Sequence, residues 1–334
     1  MNSPVILLVV VLKLQSKAFP FALKLDVWKH YLRNRPSYPD SLWREWIEYH
    51  EGPLNTVHEL GTGCGIGAAS FLSNSYAKSE PVKHMILSDP SESNIATARE
   101  LVRADDYPDT RLSFHQHRGE DSFLDPGSVD MAFACECLHF TDVETAIASI
   151  HAGLRPGGTV ASVFYGVLNA TILDNERADA AWRALGHMHF RRVADENLET
   201  IFSRMKPGQV GLGLNFVPLD RELWRDVRRV WVNVPQGQAE WPMEVGPPKE
   251  AGVSRRSRID PEYESFEWRT DTDGWALKGC TAERIKETMA SLFLQYGEKD
   301  WRSAEWREFE AAMDEGGGTV DFAIPVTMIM ARKK

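Results

Sequence analysis

A chain of 334 residues, 43% hydrophobic and 26% charged, has ample apolar material for a large core, which excludes a disordered or fibrous protein. Its formal net charge of −10 excludes unassisted binding to nucleic-acid phosphates and favours a small-molecule partner. Cys64, Cys135, Cys137 and Cys280 do not form a disulfide framework and point to a reducing, cytoplasmic setting, and the alternation of Cys135 and Cys137 along a strand argues against a zinc site or any other metal.

Val5 to Leu12 is an apolar run, too short for the roughly 20 residues that span a bilayer and followed rather than preceded by lysines. Stable membrane insertion is not expected. Residues 1–27 are read as an extension holding a packed extra strand or a misassigned start, with a signal or anchor as the alternative. Next, Tyr31-Leu32-Arg33-Asn34-Arg35-Pro36-Ser37-Tyr38-Pro39 holds two prolines within four residues, which predicts an extended strap rather than a helix. Arg35 either pairs with a carboxylate through its planar fork or anchors a turn together with Tyr38. Leu42, Trp43, Trp46 and Ile47 then recur at helical spacing, so 28–53 reads as strap and lid helix.

The stretch from Thr56 to Ser70 reads as strand, tight turn and helix, with Glu59 closing the strand and Gly61, Gly63 and Gly65 at alternate positions. Such a turn serves a nucleoside cofactor, a dinucleotide or a structural bend. A carboxylate at Glu59 disfavours a pyrophosphate and suits an amino-bearing ligand. The motif Glu59-Leu60-Gly61-Thr62-Gly63-Cys64-Gly65 resembles the first motif of class I S-adenosylmethionine (SAM) dependent methyltransferases.

Later stretches fit the same family in order. A second strand, Val82 to Leu87, ends in Ser88-Asp89-Pro90, at the spacing of one strand-helix-strand unit after Glu59; Asp89 is expected to accept ribose hydroxyls, and Ser91 offers a helix cap. A third, Leu112 to His117, leads to Gly119-Glu120-Asp121, where the resemblance implies an adenine contact through Glu120 or Asp121. A fourth, Val129 to Cys137, runs into Leu138-His139-Phe140 and resembles the family's acid-x-x-His-aromatic stretch, which puts Cys135 by the cofactor and Glu136 and His139 near the reacting methyl. A fifth follows Leu154-Arg155-Pro156-Gly157-Gly158. The strap resembles that of the trans-aconitate methyltransferase-like, type 11 branch, fungal-like in arrangement.

The expected fold is therefore α/β, a Rossmann-like doubly wound, mostly parallel sheet over 54–166, with an inserted helical cap at 167–280 and C-terminal helices plus a closing antiparallel strand at 281–334. Pro325 inside that strand predicts an edge or a bulge. In the cap, Trp182, Trp224, Trp231, Trp241, Trp268 and Trp275 are expected to pack, with Trp275 and Tyr38 facing substrate, and Arg255-Arg256-Ser257-Arg258 is a solvated run or an anionic entrance.

The resemblance implies SAM as cofactor, held by Glu59, Gly61, Thr62, Gly63, Gly65, Asp89, Ser91, Glu120 or Asp121, and Cys135. In-line methyl transfer to a small carboxylic acid, clamped by Arg35 with His139 and Glu136 beside it, is the first reading. Transfer to a hydroxyl, with His139 as base, is the second. A SAM-binding protein without methylating activity and an NAD(P)-dependent oxidoreductase are the readings from other classes.

Overall fold

The computed structural model describes residues 23, 25–74, 81–205, 209, 213–237 and 257–334. The apolar run 5–12, Trp241, the Pro247 cluster, Arg255 and Arg256 lie outside them.

The chain opens on helices α1 (Leu25–Asn34) and α2 (Asp40–Tyr49) and then alternates β1 (Thr56–Leu60), α3 (Ile66–Ser73), β2 (His84–Asp89), α4 (Glu92–Leu101), β3 (Arg111–Gln116), β4 (Val129–Cys135), α5 (Val143–Gly153) and β5 (Leu154–Tyr165). These five strands pair in parallel, as the alternation predicted. β4 is buried at every position, the signature of a central strand covered on both faces. Trp43 and Trp46 of α2 are fully buried against Phe71 and Phe133, which fixes that helix to the sheet. Among the described residues no helix is long and apolar enough to cross a membrane.

The strap is extended only from Pro36. Tyr31 to Asn34 complete α1, because a proline disfavours helix at the residue just before it, Arg35, and leaves earlier residues free.

Beyond β5 come β6 (Thr171–Ile172), α6 (Glu176–Asp195), β7 (Trp224–Val232), β8 (Ser265–Arg269), β9 (Ala276–Cys280), α7 (Ala282–Ser291), α8 (Glu298–Trp301), α9 (Ala304–Glu315), β10 (Val320–Ala323) and β11 (Val326–Lys333). The inserted region is not simply a helical cap. β7 and β8 extend the main sheet, whose order is β3-β2-β1-β4-β5-β11-β7-β8, while β6, β10 and β9 make a small second sheet. Arginines disguise β7 in the sequence, although Val230, Trp231 and Val232 are fully buried. Arg229 is fully buried too, paired with Glu264 and donating to the carbonyls of Leu214 (2.9 Å) and Val217 (3.0 Å). A buried guanidinium is tolerated where each of its donors is so engaged.

Pro325 marks neither an edge nor a bulge. It stands at the joint between β10 in the small sheet and β11, which lies antiparallel between β5 and β7 in the large one. Its missing N–H costs no ladder bond there.

Candidate active site

Strand order reverses between β1 and β4, so a crevice opens beyond their carboxyl ends. A cavity of ≈ 240 Å³ occupies it, walled on one side by the turn from Leu60 to Ile66. Gly61 has φ +67, and a Cβ there would stand 2.6 Å from Cys137 Cβ, so only glycine lets the ends of β1 and β4 meet. Cys137 Sγ donates to the Leu60 carbonyl across the same joint at 3.0 Å.

Glu59 braces this turn. One carboxylate oxygen accepts from Thr62 Oγ1 and from the Ala68 N–H (3.0 Å), and a Cβ on Gly67 would come within 2.0 Å of the other. Burial pushes the carboxyl up to about 8 against those two donors. Glu59 thus shapes the cavity wall rather than presenting the free charge expected for an amino-bearing ligand.

Asp89 is similarly bound into the frame. Its Oδ2 accepts from the Gly63 N–H (3.0 Å), and its Oδ1 accepts from the Ser91 N–H (2.9 Å) and Asn94 Nδ2 (3.1 Å). Burial raises its pKa, and these donors oppose the rise. Ser91 does not line the cavity; it caps α4 by accepting from the Asn94 N–H at 3.3 Å. Gly65 is also outside the lining and faces Val102. Of the acidic pair, Glu120 lines the cavity while accepting from the Asp142 N–H (2.8 Å), whereas Asp121 turns away to the Arg118 N–H (2.9 Å). Thr62, Gly63 and Cys135 line the wall.

The expected strap and lid helix at 28–53 did not single out Trp28, which covers this cavity's glycine turn. Trp28 of α1 lies over the turn, 3.1 Å from where a Gly63 Cβ would be, and its Nε1 donates to Asn94 Oδ1 at 3.2 Å. The Leu23 N–H donates to the same oxygen at 3.3 Å. The available signal was the i,i+3 pair of Trp28 and Tyr31 on one helix face.

A second cavity of ≈ 100 Å³ adjoins the first, sharing Tyr31, Glu136 and Phe140. Its remaining wall includes Phe164, Tyr165, Leu168, Phe202, Leu292 and Leu294. Arg35 and His139 bring polar atoms into this apolar space. The Arg35 guanidinium stands 4.6 Å from the centre of the Tyr31 ring and 5.8 Å from that of Tyr165, and its Nε is buried without a partner among the described residues. His139 is buried against Phe164, with Nδ1 also lacking a partner among the described residues. Burial, and then the Arg35 charge, hold its imidazole down to about 3, so the ring is neutral. Glu136, with φ 54, is one of the non-glycine residues held in the left-handed region, a conformation that clusters at working sites. Its Oε1 accepts from the Tyr165 N–H at 2.5 Å, and burial raises it to about 8 against the pull of Arg35.

The two residues expected to face substrate do not line this second cavity. Tyr38 lines the first one, and Trp275 lines neither, packing behind Tyr38 and Tyr165 at 6.4 and 6.1 Å between ring centres. In the arginine run, Arg258 is paired with Glu144 of α5, and Arg255 and Arg256 lie outside the described residues.

Residues 60–162 match a family model described as a methyltransferase domain. Methyltransferase AacuQ of Aspergillus aculeatus is 29% identical over 330 residues, covering 96% of this chain and 94% of its own. Methyltransferase tpcM of Aspergillus fumigatus is 30% identical over 274 residues, 78% and 79% of the two chains. Among solved structures, that of a putative type II methyltransferase from Anaeromyxobacter dehalogenans shares the fold, with a TM-score of 0.50 at 17% identity over 90% of this chain and 96% of that one.

Proposed function

The chain belongs to the class I SAM-dependent methyltransferases, and from that premise we propose that it esterifies the carboxylate of a small acceptor in secondary metabolism. The observation that carries this reading is Arg35, a buried guanidinium with an unpaired Nε in an apolar cavity that shares walls with the cofactor cavity.

The first cavity fits the cofactor. Its glycine turn leaves the backbone bare, Asp89 and Glu120 present acidic edges, and Trp28, Ile66 and Pro90 offer apolar faces to a purine and a sulfonium. SAM supplies an electrophilic methyl group there. The protein's own residues do the rest. Arg35 holds a carboxylate oxygen by a charge-assisted hydrogen bond, His139 Nδ1 fixes the acceptor's orientation, and the rings of Tyr31, Phe140 and Phe164 keep water out. A carboxylate is already an anion at neutral pH, so no base is required.

Glu136 favours a second reading. A carboxyl raised to about 8 on the wall common to both cavities is poised to take a proton from a hydroxyl acceptor. His139, held to about 3, is a poor base near neutrality.

The test is a screen of carboxylic acids and phenols for S-adenosylhomocysteine release, with products identified by mass spectrometry. Methyl esters from the acids support the proposal; methyl ethers from the phenols alone transfer it to the Glu136 reading.

A further inference from the structure

A buried polar cluster outside both cavities joins α6 to α8. His189 and Asp300 are fully buried. His189 Nδ1 lies 2.8 Å from Asp300 Oδ1, and its Nε2 lies 2.9 Å from the Leu294 carbonyl oxygen. Arg192 Nε donates to Asp300 Oδ1 (3.2 Å), while its Nη2 donates both to Asp300 Oδ2 (2.9 Å) and to the Gln295 carbonyl (2.8 Å). The Gly297 N–H reaches Asp300 Oδ2 at 2.8 Å, and the Tyr296 ring stacks on His189 at 3.5 Å. The cluster therefore grips the backbone of one short segment, the residues just after α7.

That segment does not hold its shape unaided. Phe293 (φ 55) and Gln295 (φ 68) are both left-handed without being glycine, and such backbone persists only where its surroundings over-determine it. Between and beside them, Leu292 and Leu294 line the second cavity. The grip also extends across the cavity's rim. The Ile201 N–H donates to the Phe293 carbonyl (3.2 Å), Gln295 Nε2 donates to the Glu199 carbonyl (2.9 Å), and Ile201 and Phe202 line the same space.

We propose that His189, Arg192 and Asp300 are positioning residues for acceptor binding: they clamp the Leu292 to Gln295 backbone and so fix the leucine wall against which the acceptor's apolar body packs. This rests on the reading of the second cavity as the acceptor site. The clamp touches neither cofactor nor acceptor, so it sets which acceptors fit without altering the cofactor cavity.

The probe is 8-anilinonaphthalene-1-sulfonate, whose rings suit the apolar wall and whose anion suits Arg35, titrated into enzyme saturated with S-adenosylhomocysteine. His189→Leu and Asp300→Asn are expected to weaken the probe about ten-fold or more, the effect of losing one buried hydrogen bond, with S-adenosylhomocysteine affinity within about two-fold of the parent. His189→Gln, which keeps a donor toward the Leu294 carbonyl, is expected to recover most of the affinity. Unchanged probe affinity in a cooperatively melting His189→Leu or Asp300→Asn protein overturns the proposal, as does an equal loss for both ligands. If His189→Leu does not fold, Asp300→Asn decides alone. Arg35→Met in the parallel titration separates the two levels. Loss there with none in the clamp variants overturns the clamp only, whereas no loss there overturns the acceptor-site reading and the clamp with it.

Discussion

The two cavities share a wall and differ in how their polar groups are used. In the cofactor cavity Glu59, Asp89 and Glu120 all accept hydrogen bonds from the protein itself, so the site is rigid before any ligand enters. In the second cavity, which the proposed function assigns to the acceptor, Arg35 Nε and His139 Nδ1 are buried without partners among the described residues, an unfavourable state that a bound ligand would relieve. One cavity has its acidic groups satisfied from within, and the other holds unmet hydrogen-bonding capacity that, on the proposed function, selects for a complementary polar acceptor. Preorganisation suits a cofactor that never changes; unpaired donors suit recognition of one acceptor among many.

That contrast breaks most visibly at Gly67. A Gly67→Val side chain would start 2.0 Å from Glu59 Oε1, so it should displace the brace and abolish S-adenosylhomocysteine binding in calorimetry. Retained affinity would mean that the bracing is incidental. Next in size is Arg35→Met, expected to lower kcat/KM for a carboxylic acceptor about 100-fold, roughly 3 kcal/mol, while cofactor affinity stays within about two-fold. A parallel loss of both would erase the division of labour between the cavities.

Trp28→Phe sharpens the picture from the lid. It removes the hydrogen bond to Asn94 while keeping a ring over Gly63, and should weaken S-adenosylhomocysteine by about 1 kcal/mol. An unaltered dissociation constant would show that the ring alone closes the site. A further effect concerns pH. Glu59 and Glu136 titrate near 8 when folded against an ordinary carboxyl value of 4.5, so between those limits the native state holds protons that the unfolded chain has released. Stability should therefore fall as pH rises from 4.5 through 8. Glu59→Gln keeps an acceptor for Thr62 and Ala68 and should flatten the decline of Tm with pH; identical slopes would refute the raised value.

The same contrast explains what could be read from the chain in advance. The first cavity is built mainly from contiguous strand-turn-helix pieces: Gly61 directly follows β1, Asp89 ends β2 and Glu120 lies in the turn after β3, all strands that periodicity reveals. The second cavity gathers Arg35, His139, Phe164, Phe202 and Leu294 from segments far apart in the chain, and no local pattern announces their meeting. Arg35 and His139 were legible only because each belongs to a short motif. Trp275 looked like a ligand face because a lone tryptophan reads the same whether it lines a pocket or stands behind one. β7 went unread as a strand because Arg225, Arg228 and Arg229 break its apolar alternation, and their partners Glu51, Glu267 and Glu264 become visible only after folding.

The placement of β11 bears on when this protein can fold at all. Val326 pairs with Tyr165 on one side and Val232 on the other, so the parallel half of the sheet keeps an open edge at β5 until the ribosome has released Val326 to Lys333. Closure then requires a strand to enter between two others across a long sequence separation, which is slow and leaves the nascent chain exposed to edge-to-edge association.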